Sequence, residues 1–307
     1  MIAVIGGFGV GLTMRLDRSP SAGETVSGGI LSAGPGGKGS NQAIGISRLG
    51  HTAALLTAVG PDAAAADARA LWAAESVDAR GVVTAASATM TGFILVDSGG
   101  ENRIAIAPGA LDELTAEHVD SFRDTIAAAD LLVVSLEIPH GVAIAALGVA
   151  RASGTRSVLN PAPAGDFAAP PRVADVLTPN STEARVLLGL SADDDSDDEE
   201  LARSLAARFE CDVVLTLGSR GALVVETGRL QRVPAVLPRA IVDTTGAGDA
   251  FTAALAVALV EGADLADAAR WAAEAGAHAV SVAEVVPALP RRSDLGPIPR
   301  TTERETE

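Results

Sequence analysis

Short runs that are apolar at nearly every position alternate with alanine-rich stretches of helical character along most of the chain. The runs are "IAVIGG", "TAALLTAVG", "ADLLVVSLE", "RSVLNPAP", "VADVLTPN" and "CDVVLTLG". A strand with one wet face alternates apolar and polar residues, whereas a strand covered on both faces stays apolar throughout, as in a parallel sheet between helices. The pattern therefore predicts a doubly wound α/β core. Two regions depart from it, Leu12 to Ile30 and Met90 to Ala107. In the second, "MTGFILVD", the turn "SGG" and "ENRIAIA" read as a hairpin of partly polar strands, which predicts a small accessory sheet or lid. No linker-like composition divides residues 1–290, so one domain is expected there. Residues 291–307 are charged and poor in apolar side chains, and are expected as a mobile tail.

Charge and composition narrow the partners. A formal charge of −16 opposes nonspecific binding to nucleic acid or anionic lipid, both of which need clustered Lys and Arg. A small molecule in a local site is expected instead. The single cysteine, Cys211, excludes an intrachain disulfide framework. The uncharged run from Ala250 to Val260 is well short of the roughly 20 residues a membrane span needs. With no leader-like segment ahead of "IAVIGG", a cytoplasmic protein is expected. The acidic run Ser191 to Glu200 reads as a solvated loop feeding the first turn of a helix. The four histidines have no metal spacing.

The glycine-rich stretches separate on inspection. "GPGGKGS" around Lys38 fails as a phosphate loop of the Walker type, with Ser32 and Gly39 where that motif needs Gly and Ser or Thr. From Gly7 and Gly9 the third glycine of a dinucleotide fingerprint falls on Leu12, which argues against a dehydrogenase. "VDTTGAGDAF", Val242 to Phe251, is stronger. Gly246, Ala247 and Gly248 let backbone N–H groups converge at a helix N-terminus, a ready anion site. A carboxylate at Asp249 is then either a base beside that anion or a helix cap. "GGKGSNQA" is a second glycine turn entering a helix, with Lys38 and Asn41 available to a polar ligand or simply part of a loop. Glu137 ends the strand of "SLEIP" at the edge where open α/β sheets bind ligands. Asn180 and Glu183 in "LTPNSTEA" share a helix face, as ligand groups or as a capping box. "TLGSRG", Thr216 to Gly221, closes a further strand in a turn rich in N–H donors.

Taken in order, "GETV", "GGKGSNQA", "PGA", "SLEIP", "LNPAPA", "LTPNSTEA", "TLGSRG" and "DTTGAGDAF" resemble the ribokinase (PfkB) family of carbohydrate kinases over about residues 1–290. The resemblance implies a three-layer α/β/α domain with a small β-sheet lid, spanning about 12–30 and 90–107, that forms a homodimer interface in many relatives. It implies ATP-dependent phosphorylation of a primary hydroxyl on a small sugar, polyol or nucleoside-like alcohol, with Mg²⁺ and K⁺. Asp249 then matches the general base, and Gly246, Ala247 and Gly248 the anion hole. Gly37, Lys38, Asn41 and Glu137 match sugar contacts. Asn180, Glu183, Thr216, Gly218, Ser219 and Gly221 match the nucleotide and Mg²⁺ side. Asp243, Thr245, Ala279, Val282 and Ala288 match a monovalent-cation site built largely from backbone carbonyls.

Two departures carry expectations of their own. Glu284 and Val285 stand where the family usually has Gly-Ala, beside the cation site. Gly9 and Gly11 stand where ribokinases carry Asn-x-Asp against the sugar's secondary hydroxyls. Glycines there remove those partners and leave room, so D-ribose is expected to be a poor substrate. A noncatalytic ligand-binding relative is the alternative, disfavoured because Asp249 and the glycine turn are intact.

Overall fold

The computed structural model describes residues 1–99, 102–168, 170–191 and 194–300. Its strands are β1 (Ile2–Ile5), β2 (Gly9–Arg15), β3 (Ile30–Gly36), β4 (Ala53–Leu56), β5 (Ala58–Val59), β6 (Val83–Thr84) and β7 (Met90–Val96), then β8 (Asn102–Ala107), β9 (Leu131–Ser135), β10 (Arg156–Asn160), β11 (Val176–Leu177), β12 (Asp212–Thr216), β13 (Ala222–Glu226) and β14 (Arg229–Val233). The helices are α1 (Lys38–Arg48), α2 (Ala63–Ala74), α3 (Ala116–Ser121), α4 (Arg123–Ala127), α5 (His140–Ser153), α6 (Ser181–Leu188), α7 (Asp198–Phe209), α8 (Ala247–Val260), α9 (Leu265–Val280) and α10 (Val285–Ala288). Eight strands form the main sheet in the order β14-β13-β12-β11-β10-β9-β1-β4.

Each central strand feeds two cores, as its unbroken apolar run predicts. Ile2 and Val4 of β1 face α1, α2, α8 and α9, while Ala3 and Ile5 face the layer of α3 to α7. The three-layer expectation holds, with one correction: the sheet is mixed. β13 pairs antiparallel with both β12 and β14. Only residues 217–221 separate β12 from β13, too few for the helical crossover that parallel pairing requires. The run "VADVLTPN" contributes just Val176 and Leu177, because Pro179 lacks an N–H for the ladder and Asn180 opens α6. "TAALLTAVG" divides into β4 and β5, the latter leaving the main sheet to pair with β6.

α8 is buried continuously from Asp249 to Leu259. It packs on α1 so closely that a Cβ at Gly45 would lie 2.7 Å from the Ala253 methyl. Among the described residues, no helix is long and apolar enough to cross a membrane. Residues 291–300, expected as part of a mobile tail, instead lie against α9. There the Trp271 Nε1–H donates to the Gly296 carbonyl at 2.9 Å, and Arg292 pairs with Glu261 while stacking over the Trp271 ring. Residues 301–307 are outside the described residues.

The lid is a four-stranded sheet of order β3-β2-β7-β8. Its first half is shifted from the expected Leu12–Ile30 to two strands, Gly9–Arg15 and Ile30–Gly36, since Pro20, Gly23 and Gly28 interrupt the segment between them. The second half matches Met90–Ala107, with Gly100 and Glu101 of its turn outside the described residues. Pairing of β2 with β7 sets Gly9 beside Met90 and Gly11 beside Gly92. Gly9 does not leave the expected room: a Cβ there would lie 2.6 Å from the Met90 carbonyl oxygen and 2.9 Å from its Cβ. Gly11 does, since a Cβ would meet only Ile94 Cδ1 at 3.6 Å and the Gly34 carbonyl oxygen at 3.9 Å. Gly9→Asn should therefore destabilise the lid base by about 1–3 kcal/mol, the usual scale for overpacking. Gly11→Asp should leave the melting temperature within about a degree or two of the parent, as usual where no buried group is disturbed; thermal melts of the two variants compare them directly.

Candidate active site

The C-terminal ends of β1, β9, β10, β11 and β12 meet the N-termini of α1, α6 and α8, and the polar groups singled out in the sequence gather there. At the entrance to α1, Gly37 has φ 93°, and a Cβ on it would lie 2.6 Å from the Gly7 carbonyl oxygen. Only glycine lets the chain turn into the helix so close to β1. That turn delivers Lys38, Asn41 and Gln42 to the sheet edge. The close packing of α1 on α8 then brings Asn41 and Gln42 to Asp249.

Asp249 is buried at the third position of α8. Its Oδ2 accepts from Asn41 Nδ2 at 2.8 Å and its Oδ1 from Gln42 Nε2 at 3.1 Å. The capping position belongs to Gly246 (φ 81°), with no side-chain cap bond, so the helix-cap reading of Asp249 is not what the structure contains. Gln42 Nε2 also donates to Asn160 Oδ1 at 3.3 Å, and Asn160 Nδ2 donates to the Thr178 carbonyl at 3.1 Å. A backbone carbonyl can only accept, so this relay turns Asn160, and through it Gln42, to present N–H rather than C=O toward the carboxylate. Sequence reasoning assigned Gln42 and Asn160 no role. A polar residue ending the apolar run of β10, and a second amide next to Asn41, were the available signals.

Beside Asp249, Gly246 turns the chain in the left-handed region against Val285, whose Cγ1 would lie 2.6 Å from a Cβ there. A Cβ on Gly248 would meet nothing within 4 Å. Space is thus open around Gly248 in the first turn of α8, where orphan amides and the helix dipole favour an anion, while the Ala247 N–H turns back to the Thr244 carbonyl at 3.4 Å.

Lys38 is the only lysine in the chain. Its backbone N–H donates to Glu137 Oε2 at 2.6 Å. Burial works to lower the Lys38 pKa, but the charges of Asp249, Glu137 and Glu183 together outweigh it and hold the ammonium above its ordinary value. Burial pushes the Glu137 carboxyl up to about 7, against the pull of Lys38 and with a push from Asp249. Gly7 makes room for this carboxylate, since a Cβ there would come within 2.6 Å of Glu137 Oε2.

Asn180 and Glu183 form the capping box: Glu183 N–H to Asn180 Oδ1 at 2.8 Å, and Asn180 N–H to Glu183 Oε2 at 2.9 Å. The capping alternative is thus realised, yet Glu183 also faces the common site. Its pKa is raised chiefly by burial, and it feels both Lys38 and Asp249. Thr216 joins this strand end through its N–H to the Pro179 carbonyl at 2.9 Å. Gly218 (φ 57°) and Gly221 (φ 86°) turn the following loop, with Ser219 exposed between them.

The segments of the cation expectation also converge. Val242 N–H donates to the Val280 carbonyl at 2.9 Å, Val282 N–H to that of Ala279 at 3.2 Å, and Thr245 N–H to Asp243 Oδ1 at 2.9 Å. Ala288 is buried at the far end of α10. Glu284 has φ 65° and ψ 154°, a conformation nearly confined to glycine.

The pfkB family carbohydrate kinase model matches residues 2–292. The chain belongs to that family. It is 32% identical over 297 residues to a ribokinase of Haemophilus influenzae, covering 95% of this chain and 96% of that relative. Its fold superposes on ribokinase from Giardia lamblia with TM-score 0.86 at 27% identity, covering 95% and 96% of the two chains. Arabidopsis thaliana ribokinase, solved with ribose and ATP, gives TM-score 0.82 at 26% identity over 95% of this chain and 96% of that one. The protein is an ATP-dependent carbohydrate kinase, and the noncatalytic alternative falls away.

The raised Glu137 carboxyl has a consequence for the stability of this kinase. Between about pH 4.5, its ordinary value, and about 7, the folded protein keeps a proton that the unfolded chain has lost. The residue's contribution is complete at low pH and is lost as pH rises through about 7. Glu137→Gln abolishes the ionisation and keeps an acceptor for Lys38 N–H. The melting temperature of the variant minus that of the parent should therefore increase from pH 5 to pH 8; a constant difference would mean that the carboxyl is not held up by burial.

Proposed function

We propose that Asp249 takes the proton from a primary hydroxyl of the acceptor as its oxygen attacks the γ-phosphorus of ATP, with ADP leaving. The observation that carries this is a buried carboxylate held by two side-chain amides at the mouth of an open glycine turn. Phosphoryl transfer asks mainly for positioning and charge stabilisation, which a base and a donor nest supply. Gly246, Ala247 and Gly248 would cradle the transferring group. Lys38, Asn41 and Glu137, with Gly37 shaping their turn, would hold the acceptor. Asn180, Thr216, Gly218, Ser219 and Gly221 would line the nucleotide.

Magnesium, when bound, would neutralise phosphate charge. The oxygen donors at hand fit it, with Glu183 as the carboxylate, since Mg²⁺ commonly uses one or two carboxylates together with phosphates and water. A potassium ion among the carbonyls of Asp243, Thr245, Ala279, Val282 and Ala288 would order the anion-hole turn; the convergence of these segments supports it. The acceptor is a small sugar, polyol or nucleoside-like alcohol, with D-ribose a poor one. The lid face that exposes Leu31 and Phe93 suits a second copy of the chain, so the working form is a homodimer. A cytoplasmic setting agrees with the use of ATP and a lone cysteine whose thiol burial pushes up to about 12.

Asp249→Asn should lower kcat by roughly 10²–10⁴, the scale of a lost general base. ATP binding should persist. The asparagine amide must face Asn41 or Gln42 with an N–H rather than an acceptor, so a cost of about 1–3 kcal/mol and a modestly lower melting temperature are expected as well. An unchanged kcat would remove Asp249 from the chemistry.

Activity should be higher in K⁺ than in Na⁺ or a large organic cation at matched ionic strength. Equal rates in the three salts would remove the cation from the scheme.

A further inference from the structure

Arg48 is the last residue of α1, about 15 Å of helix beyond Lys38 and the sheet edge where the site lies. Its side chain is only 9% exposed, and most of its N–H groups are in use. Nε and Nη2 donate to the two carboxylate oxygens of Glu75 at 2.9 and 2.6 Å. Nη1 donates to the carbonyls of Val286 at 2.6 Å and Leu289 at 2.8 Å. The pairing holds the Glu75 carboxyl below its ordinary range. Glu75 caps the end of α2, and its own carbonyl accepts from Ser47 Oγ at 2.6 Å. One guanidinium thus joins the end of α1, the end of α2, and α10 with the residue that follows it.

A buried ion pair adds little net stability over apolar residues of the same volume, so stability alone does not account for this one. What it fixes is α10. The chain enters α10 through Glu284, at φ 65° and ψ 154°, and such a backbone persists only where its surroundings over-determine it. On the near side the restraint is α9, through the Val282 N–H on the Ala279 carbonyl; on the far side it is Arg48. Between the two stands Val285, the residue packed against Gly246, where its Cγ1 would lie 2.6 Å from a Cβ. Gly246 is the left-handed residue that starts α8. From the guanidinium to the glycine turn there is one peptide group, one valine side chain and one glycine Cα. α1 then has a task at each end. Asn41 and Gln42 near its start hold Asp249, and Arg48 at its end holds the turn against which α8 begins.

Resting on the reading of Gly246 to Gly248 as the cradle of the transferring phosphoryl group, we propose that Arg48 is a positioning residue for that cradle. Through the carbonyls of Val286 and Leu289 it sets Val285 against Gly246 and so fixes the first turn of α8, without touching either substrate. Glu75 orients the guanidinium for this.

Calorimetric titration of the full chain with MgADP, with and without beryllium fluoride, tests this. Beryllium fluoride on ADP mimics the γ-phosphoryl group, so the affinity it adds reads the cradle and needs neither an acceptor nor Asp249 as a base. Arg48→Met removes the guanidinium and keeps an apolar stem. Arg48→Lys stands in if melting curves show the methionine variant unfolded, since it keeps stem and charge but cannot reproduce the planar set of donors. MgADP alone should bind either variant as it binds the parent. The gain from beryllium fluoride should fall by roughly two- to thirtyfold, the range over which a residue remote from a ligand modulates its binding. Val285→Ala should reduce the gain as well, and the double variant should lose less than the product of the two single losses, as groups acting on one turn do. A gain kept in full by a folded Arg48 variant or by Val285→Ala would overturn the proposal, as would losses that multiply independently. MgADP affinity falling by the same factor as that of the fluoride complex would also overturn it, leaving Arg48 a role in general stability alone. A parent that gains nothing from beryllium fluoride defeats the cradle reading itself, and this inference with it.

Discussion

The contact on which the site depends is the close approach of α1 to α8, where Gly45 meets Ala253. A bulkier residue at either position would separate the helices, and their N-termini would part with them. Because the helices touch, the amides of Asn41 and Gln42 reach the Asp249 carboxylate, which would otherwise be a buried charge without partners. Such a group costs several kcal/mol unless hydrogen-bonded. The small residues along α8 are therefore a condition of the chemistry as well as of packing. The relay through Asn160 to the Thr178 carbonyl extends the same constraint into the sheet and decides which way the amides point.

Electrostatics around Lys38 form a second layer. In a chain of formal charge −16, one lysine stands among Glu137, Glu183 and Asp249. The ammonium is held charged by the surrounding acids, and burial works against the charged forms of Glu137 and Glu183, which the cation in turn favours. A polar ligand entering this cluster meets groups already desolvated and held in place, so its charge or hydroxyls act on them with little reorganisation.

The turn at Glu284 joins the anion-hole region to the end of α9. Its backbone lies in a region that costs on the order of 1–3 kcal/mol for a residue with a side chain. The same turn presses Val285 onto Gly246, fixing the left-handed residue that starts α8. Strain at Glu284 and restraint at Gly246 are thus two ends of one short segment, Glu284 and Val285, where the family usually has Gly-Ala.

What the sequence determined by itself is the part written in local periodicity and in collinear motifs. The unbroken apolar runs of β1, β9 and β12 required a sheet covered on both faces, and the ordered motifs from "GGKGSNQA" to "DTTGAGDAF" carried the family and the positions that meet at the sheet edge. Tertiary structure decided what local pattern cannot encode. The hairpin of β13 and β14 runs antiparallel because its connection is short, a fact about chain reach rather than periodicity. Asp249 as a cap or as a base was open in the sequence, since both place an acidic residue at a helix start; Gly246 at the cap position, and Asn41 and Gln42 some two hundred residues away on the carboxylate, remove the cap. Asn180 and Glu183, open in the same way, proved to be a capping box that also faces the site. Gly9 and Gly11 look alike in one dimension, but β7 pairs alongside them and sets Met90 against the first while leaving the second bare. Glycine records only the absence of a side chain, and whether a neighbour or a ligand fills that space is settled by what the fold brings opposite it.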